Sequence, residues 1–336
     1  MKILITGSNG FIGSHLVEKG IRDGHKVWAA IRKGSNINYI SDGVEGCLEL
    51  DYSDYEVLCC QLKSFCDKWG KWNVVVHAAG ATKCPKNEMF YSSNTEVTKN
   101  LVNAFIELDI VPNQFIFISS LGVFGSIRDK LPYKRIKDSD TPNPNTHYGK
   151  SKLLAEEYLK SIPHFPYVIF RPTAVYGPRE RDFLMLIKSV KNHLLVSAGL
   201  GSQRLTFVFV QDVVKALFLA IDNRIIRREY FITDGSVYDN IDFSLAVSSE
   251  LGNRWTIKIR FPLFVVRLLS WFMGGIASLI GRNQVLNSDK YRILSQRNWQ
   301  CDIDPLIRDL DYIADYPLDR GVAETISWYK KQRWIK

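Results

Sequence analysis

The sequence predicts an α/β protein, a doubly wound parallel sheet accompanied by a smaller, mainly helical lobe. Three observations carry that expectation. Short β-branched or aromatic runs alternate with helix-length amphipathic stretches. The first apolar run passes straight into a glycine-rich turn and a helix. The alternation loosens after about residue 171, returns at 207 to 233 and gives way to a helical tail. Composition agrees: 336 residues, 46% hydrophobic and 24% charged, describe an ordinary globular chain and exclude collagen-like, disordered and disulfide-stapled classes.

Taken in order, the strand candidates are Lys2 to Thr6, Lys26 to Ile31, Val74 to His77, Phe115 to Ser119, Tyr167 to Phe170, Phe207 to Val210 and Tyr230 to Thr233. Each reads as a buried or nearly buried run. Right-handed crossovers between them place any ligand at the carboxyl ends of the strands, so function is sought in the loops that follow. The Pro-rich stretch Thr141-Pro142-Asn143-Pro144-Asn145 reads as a bend before a helix rather than a linker. Residues 1–170 and 205–235 are expected to form a dinucleotide-binding domain of the Rossmann type, and 171–204 with 236–336 a substrate-binding lobe.

Charge and cysteine content narrow the setting. The net charge of +9 favours anionic partners without choosing among small molecules, membranes and nucleic acid. Six cysteines with no Cys-x-x-Cys pair and no suitably spaced histidine argue against a metal site or disulfide framework and fit free thiols in a reducing cytoplasm. No export signal is visible, because the first apolar run is too short for one.

The first strand leads into Gly7-Ser8-Asn9-Gly10-Phe11-Ile12-Gly13, followed by a helix with Ile12, Leu16 and Val17 on its apolar face. Such a turn lets backbone approach a pyrophosphate, whose charge meets free N–H groups and the positive end of the helix dipole. The second strand ends in Arg32-Lys33-Gly34-Ser35 where a ribose-binding carboxylate would stand. Arg32, with Lys33 or Ser35, suits a 2′-phosphate, which points to NADP and leaves NAD as the alternative; a solvated basic loop is the plain reading. Asp51, and the small residues of His77-Ala78-Ala79-Gly80, stand at the next strand ends and leave room for a cofactor.

Tyr148 and Lys152 lie four residues apart on a segment with helical periodicity, so both side chains share a face. Tyr133 and Lys137 have the same spacing, but they follow Pro132 in a polar segment without an apolar stripe and are set aside. A tyrosine titrates near pH ~10, so service as a base near neutrality needs a shift of roughly 2 to 3 units. A fixed ammonium, helped by the positive nicotinamide ring, is expected to supply it. Ser120, just past a strand end, is placed to orient a substrate oxygen, or is simply a turn residue.

Together these residues resemble the extended short-chain dehydrogenase/reductase superfamily, the NAD-dependent epimerase/dehydratase family, over nearly the whole chain. The motifs are Thr6 to Gly13 as T-G-x-x-G-x-x-G, Asp51, His77-Ala78-Ala79-Gly80, Asn94, Ser119 to Gly125, Tyr148 to Lys152 and Arg171 to Pro178. The resemblance implies a catalytic set of Ser120, Tyr148 and Lys152, with Asn94 in support. It implies cofactor contacts from Gly7, Asn9, Gly10, Phe11, Ile12, Gly13, Arg32, Asp51, Tyr52, Ala78, Ala79, Gly80 and Lys152, with Pro172 and Thr173 near the nicotinamide. It also suggests a homodimer, a small-molecule substrate and no nucleic acid partner.

The substrate reading divides at Leu205. Nucleotide-sugar members of the superfamily commonly carry an Arg there for the diphosphate; here Arg204 lies one residue earlier, and one residue in an extended strand turns a side chain to the other face. Arg179 and Arg181 are further candidate anion contacts, or an exposed salt-bridged turn. The Leu205–Val214 segment and the tract 261–280, whose only charge is Arg267, look closer to the 3β-hydroxysteroid and sterol dehydrogenase branch. The tract is long enough to span a bilayer, but the tail after it must pack back on the cofactor domain, so pocket-lining or core helices, or an interfacial helix, are expected instead. The resulting expectation is a dehydrogenase/reductase acting on a secondary alcohol or ketone of steroid-like character, with a nucleotide-sugar epimerase or dehydratase as the alternative.

Overall fold

The computed structural model describes residues 1–268 and 288–335. In chain order its strands are β1 (Lys2–Thr6), β2 (Lys26–Ile31), β3 (Gly46–Glu49), β4 (Val74–His77), β5 (Gln114–Ile118), β6 (Tyr167–Pro172), β7 (Ala174–Tyr176), β8 (Leu194–Ala198), β9 (Phe207–Phe209), β10 (Arg228–Ile232) and β11 (Ile257–Phe261). Seven of them form one sheet in the order β10-β6-β5-β4-β1-β2-β3, and every pairing within it is parallel. Strand order reverses at β1, which lies between β2 and β4, so the crevice beyond their carboxyl ends is the ligand position of a doubly wound sheet.

Strand alternation feeds two cores. Ile3 and Ile5 point to one face and pack with Leu16 and Val17 of the helix Phe11–Arg22 and with Val213 and Leu217 of the helix Val210–Asp222. Leu4 points to the other face, among Leu58 and Leu62 of Tyr55–Trp69 and Leu101 and Phe105 of Val97–Glu107. β4 and β5 are buried along their whole lengths, as continuous apolar runs in parallel sheets must be. A third apolar cluster outside the sheet joins Tyr176, Ile187, Leu195, Phe207, Phe243 and Ile326.

Six of the seven expected strands take places in this sheet, β1, β2 and β4 end for end and β5, β6 and β10 with ends shifted by a residue or two. The Phe207 run does not. It forms β9, which pairs with β7 in a separate two-stranded sheet, and Val210 already begins a helix. β3 escapes the sequence because Gly46-Cys47-Leu48-Glu49 is a half-polar edge strand. Of the tract 261–280, Phe261 ends β11 and residues 263–268 are helical, while 269–280 lies outside the described residues. Among the described residues no helix is long and apolar enough to cross a membrane. All six cysteines are free.

Candidate active site

The glycine loop sits where β1 meets the helix Phe11–Arg22. Gly7 has φ 66°, and a Cβ there would stand 2.8 Å from the Ala78 carbonyl oxygen, so the β1 and β4 loops touch backbone to backbone. A Cβ on Gly13 would overlap the Gly7 carbonyl. Gly10 is the N-cap residue, with no side-chain cap and no acidic residue in the first turn, and the helix thus directs its free N–H groups at Phe11 and Ile12 into the crevice mouth. Asn9 lies in the same loop. This cradle fits a dinucleotide pyrophosphate. Arg32 and Lys33 are exposed just past β2, and Lys33, after the hydrogen bonds from Ser53, helps hold the exposed Asp51 carboxyl below the usual carboxylate range. Tyr52 is buried in the core beside Leu50.

On the far side of the crevice the helix His147–Ser161 carries the proposed acid–base pair. Thr146 caps it by accepting the Gly149 N–H, and Asp289 accepts the His147 N–H, fixing the first turn. Lys152 is only 5% exposed; its ammonium donates to the Ile118 carbonyl at 2.9 Å and lies 4.7 Å from the Phe117 ring centre. Burial pushes its pKa down to about 8, opposed by Glu156. Ser120, extended at φ −159°, accepts the Gly122 N–H and stands near enough to Tyr148 to favour its phenolate. Burial pushes the Tyr148 phenol up to about 12, and Ser120 only partly opposes it. The expected downward shift is therefore not supplied by the protein matrix alone: desolvation outweighs the help from Ser120, Lys152 adds none to it, and the matrix keeps the phenol protonated.

Asn94 is buried on a single π-helical turn, Tyr91–Glu96, a form frequent at functional sites. Its amide pairs with both backbone groups of Ala81 and donates to Ser151 Oγ at 2.9 Å, and Ser151 donates to the Tyr148 carbonyl. A Cβ on Gly80 would stand 2.7 Å from Asn94 Oδ1 and 3.1 Å from Lys152 Nζ, which brings the loop after β4, the π turn and the helix His147–Ser161 to one point. Pro172 ends β6, and Thr173 is anchored by its N–H to Ile232 and its hydroxyl to Thr206.

Two groups of residues were not anticipated as a network. His77 is fully buried between Thr6 Oγ1 at 2.8 Å and Thr98 Oγ1 at 3.1 Å. The Thr98 hydroxyl spends its proton on the Asn94 carbonyl, so it accepts from His77 Nε2–H; Nδ1 then accepts from Thr6, which itself accepts the Ala79 N–H. The tautomer follows from the chain of donors. Burial, with the Lys152 charge, holds His77 near pKa about 3, hence neutral. The second network joins Arg171, buried at the end of β6, to Glu156 at 2.5 Å and to Glu229; Ser119 also donates to Glu156. Glu156 stands one turn beyond Lys152, the single sequence hint of its role.

The arginines proposed for substrate anions are placed differently from one another. Arg179 is tied to Glu18 of the glycine-loop helix and lies 5.1 Å from the Tyr39 ring centre. Burial raises the Glu18 pKa, but hydrogen bonds from His15 and Arg179 outweigh it and bring it to about 2. Arg179 is thus a strut between the helix and the loop after β7, with its buried Nε and Nη1 left without a hydrogen-bond partner. Arg181 lies over the Trp334 ring. Arg204 is exposed, and its backbone bridges to Arg297 and Trp299 while Leu205 bridges to Tyr238, an alternation that keeps the two side chains on opposite faces. The Tyr133–Lys137 segment is not helical.

Comparison with known proteins agrees with this geometry. The chain is 27% identical over 246 residues to the GDP-6-deoxy-D-talose 4-dehydrogenase of Aggregatibacter actinomycetemcomitans, covering 71% of this chain and 76% of that one. It is 25% identical over 337 residues to the decarboxylating sterol-4-alpha-carboxylate 3-dehydrogenase of Dictyostelium discoideum, covering 96% and 99%. The UDP-glucose 4-epimerase of Thermotoga maritima, solved with UDP-glucose, has the same fold at a TM-score of 0.79 and 20% identity, covering 99% and 100%. The model of the NAD dependent epimerase/dehydratase family matches residues 3–232, two-thirds of the chain, and the protein belongs to that family.

Proposed function

We propose that this protein is an NADP-linked oxidoreductase that interconverts a secondary alcohol and a ketone on a mostly apolar, steroid- or sterol-like substrate. The observation that carries the reaction type is the approach of Ser120 to Tyr148 at the end of β5, with Lys152 buried one turn along the same helix. The nicotinamide, when bound, supplies or takes up the hydride. In the oxidising direction Tyr148 Oη takes the proton of the substrate hydroxyl as the carbinol C–H bond breaks and C–O becomes C=O; in reduction it returns that proton. Ser120 Oγ orients the substrate oxygen, and Lys152 holds positive charge beside the phenol.

Exposed Arg32 and Lys33 support NADP over NAD, and Leu205 in place of an arginine supports an apolar substrate. The near-full-length similarity to a sterol dehydrogenase points the same way. A second reading, epimerisation or dehydration of a nucleotide sugar with retained cofactor, is favoured by the full-length likeness to UDP-glucose 4-epimerase. The proposal includes a dinucleotide-binding domain of residues 1–170 and 205–235, a substrate lobe of 171–204 and 236–336, a homodimer, a cytoplasmic location and peripheral membrane contact through 261–280.

A panel of steroids and sterols against nucleotide sugars, with each nicotinamide cofactor and absorbance of its reduced form as readout, tests this. Net reduction of added NADP by a steroid-class alcohol, lowered roughly 10²- to 10⁴-fold in Tyr148→Phe, is the expected result. Turnover of a nucleotide sugar without added cofactor would establish the second reading instead.

A further inference from the structure

The helix His147–Ser161 turns one stripe toward the sheet, and along it Lys152, Ala155, Glu156 and Leu159 are all buried. Ala155 and Leu159 pack in the core around Leu4. Phe115 and Phe117 of β5 and Ile169 of β6 enter the same core, and strand alternation puts Ser119 and Arg171 next on that face. Two charged residues therefore share an otherwise apolar stripe, and both meet the end of β5. Lys152 Nζ donates to the Ile118 carbonyl at 2.9 Å, and the Ser119 hydroxyl donates to Glu156 Oε1. Residues one turn apart on the helix are thus bonded to consecutive residues of the chain that runs into Ser120. Arg171 donates to both Glu156 oxygens, from Nε at 3.0 Å and from Nη2 at 2.5 Å. Its guanidinium lies 5.2 Å from the ring centre of Phe124, in the loop that Ser120 opens.

Stability does not call for a carboxylate at this position. Glu156 is wholly buried, and exchanging a buried ion pair for apolar side chains of similar volume is often neutral or stabilising, so apolar residues would join β6 to the helix as well. What an apolar residue lacks is charge. The Lys152 ammonium is buried with a neutral carbonyl as its hydrogen-bond partner, and Glu156 is the anion that opposes its deprotonation. Of the other titratable groups around it, His77 of β4 and Tyr148 are neutral. Beyond Glu156, the Arg171 charge is shared between Glu156 and Glu229 of β10.

We propose that Ser119 and Glu156 are positioning residues: their hydrogen bond fixes the start of the Ser120 loop against the helix, and the Glu156 carboxylate keeps the Lys152 ammonium charged. This rests on the acid–base reading of Ser120, Tyr148 and Lys152 and holds for either substrate class. The test follows Lys152 in the full chain by nuclear magnetic resonance of isotope-labelled lysine side chains, its signal identified by its loss in Lys152→Met. In parallel, kcat and KM are measured against pH on whichever substrate of the panel the wild type turns over. The wild-type ammonium is expected to titrate near 8. In Glu156→Gln the titration should fall by roughly one unit, and the alkaline limb of kcat/KM should move to lower pH with it, because the protonated lysine is the active form. Glu156→Leu combined with Arg171→Met keeps the site filled and serves where the glutamine variant fails to fold; it should also titrate below the wild type. Ser119→Ala, which leaves the Glu156 charge in place, should keep the Lys152 titration and lower kcat roughly 10-fold at unchanged KM. Circular dichroism shows which variants fold. The proposal is overturned if Lys152 titrates as in the wild type in the folded Glu156 variants, if the apolar pair restores wild-type kcat and pH profile, or if Ser119→Ala leaves kcat unchanged. Absence of turnover with every panel substrate would instead defeat the acid–base reading itself, whereas an unmoved lysine titration with turnover intact defeats the role of Glu156 alone.

Discussion

Acidification tests the His77 relay in isolation from catalysis. Burial and the Lys152 charge keep His77 neutral between the Thr6 hydroxyl, which donates to it, and the Thr98 hydroxyl, which accepts from it, and its pKa falls from the ordinary 6.5 to about 3. A group with a depressed folded pKa binds protons more weakly in the native state, so the unfolded chain takes up the proton first as pH falls below 6.5. Stability is therefore whole above that value and drains away down to about pH 3. At 1.36 kcal/mol per unit, the loss by pH 4 is about 3 kcal/mol from this residue. Other carboxylates titrate in the same range, so the assay is a difference: urea unfolding of the wild type and of His77→Gln at pH 7, 5 and 4. Glutamine can donate toward Thr98 and accept from Thr6 but does not titrate. The wild type should lose about 3 kcal/mol more than the variant between pH 7 and 4. Parallel stability curves would refute the neutral, doubly hydrogen-bonded assignment.

Two further substitutions probe the cofactor rim and the buried ion pair. Arg32→Glu should weaken NADPH binding roughly 10- to 100-fold, the worth of a charge-assisted hydrogen bond, while leaving NADH binding unchanged or improved in fluorescence titration; equal losses for both cofactors would remove Arg32 from the 2′-phosphate role. Glu156→Gln leaves the Arg171 charge buried with Glu229 alone and should cost about 3 to 5 kcal/mol in urea unfolding, whereas a cost below about 1 kcal/mol would show that the pair is not the anchor of β6 to the catalytic helix.

What the sequence made legible was local. The turn from β1 into the Phe11–Arg22 helix and the helical spacing of Tyr148 and Lys152 are encoded within a few residues, and the structure has them where periodicity put them. The decoy at Tyr133 and Lys137 failed for the same local reason, the absence of an apolar stripe. What was hidden depends on pairing across the chain. His77 looked like the start of a small-residue run until Thr6, 71 residues away, and Thr98 closed on its two nitrogens. Arg179 read as an anion contact or a salt-bridged turn, and its partner Glu18, 161 residues earlier, takes Nη2 while Nε and Nη1 stay without one. The Phe207 run has the composition of a buried strand, but composition does not say which sheet receives it, and β7 claims it. The direction of the Tyr148 shift was also beyond pattern reading, because it is set by burial, which disfavours the phenolate and which spacing along a helix does not report.

The central claim is that Tyr148 becomes a base only when Lys152 and a bound oxidised dinucleotide act on it together. Its ionisation can be followed directly by ultraviolet difference titration of the wild type against Tyr148→Phe, with and without NADP, and repeated in Lys152→Met. The account predicts titration near 12 for the protein alone, a fall of several units with NADP bound, and loss of most of that fall in Lys152→Met. A phenol that stays near 12 with cofactor bound, or one that falls equally without the lysine, would contradict it.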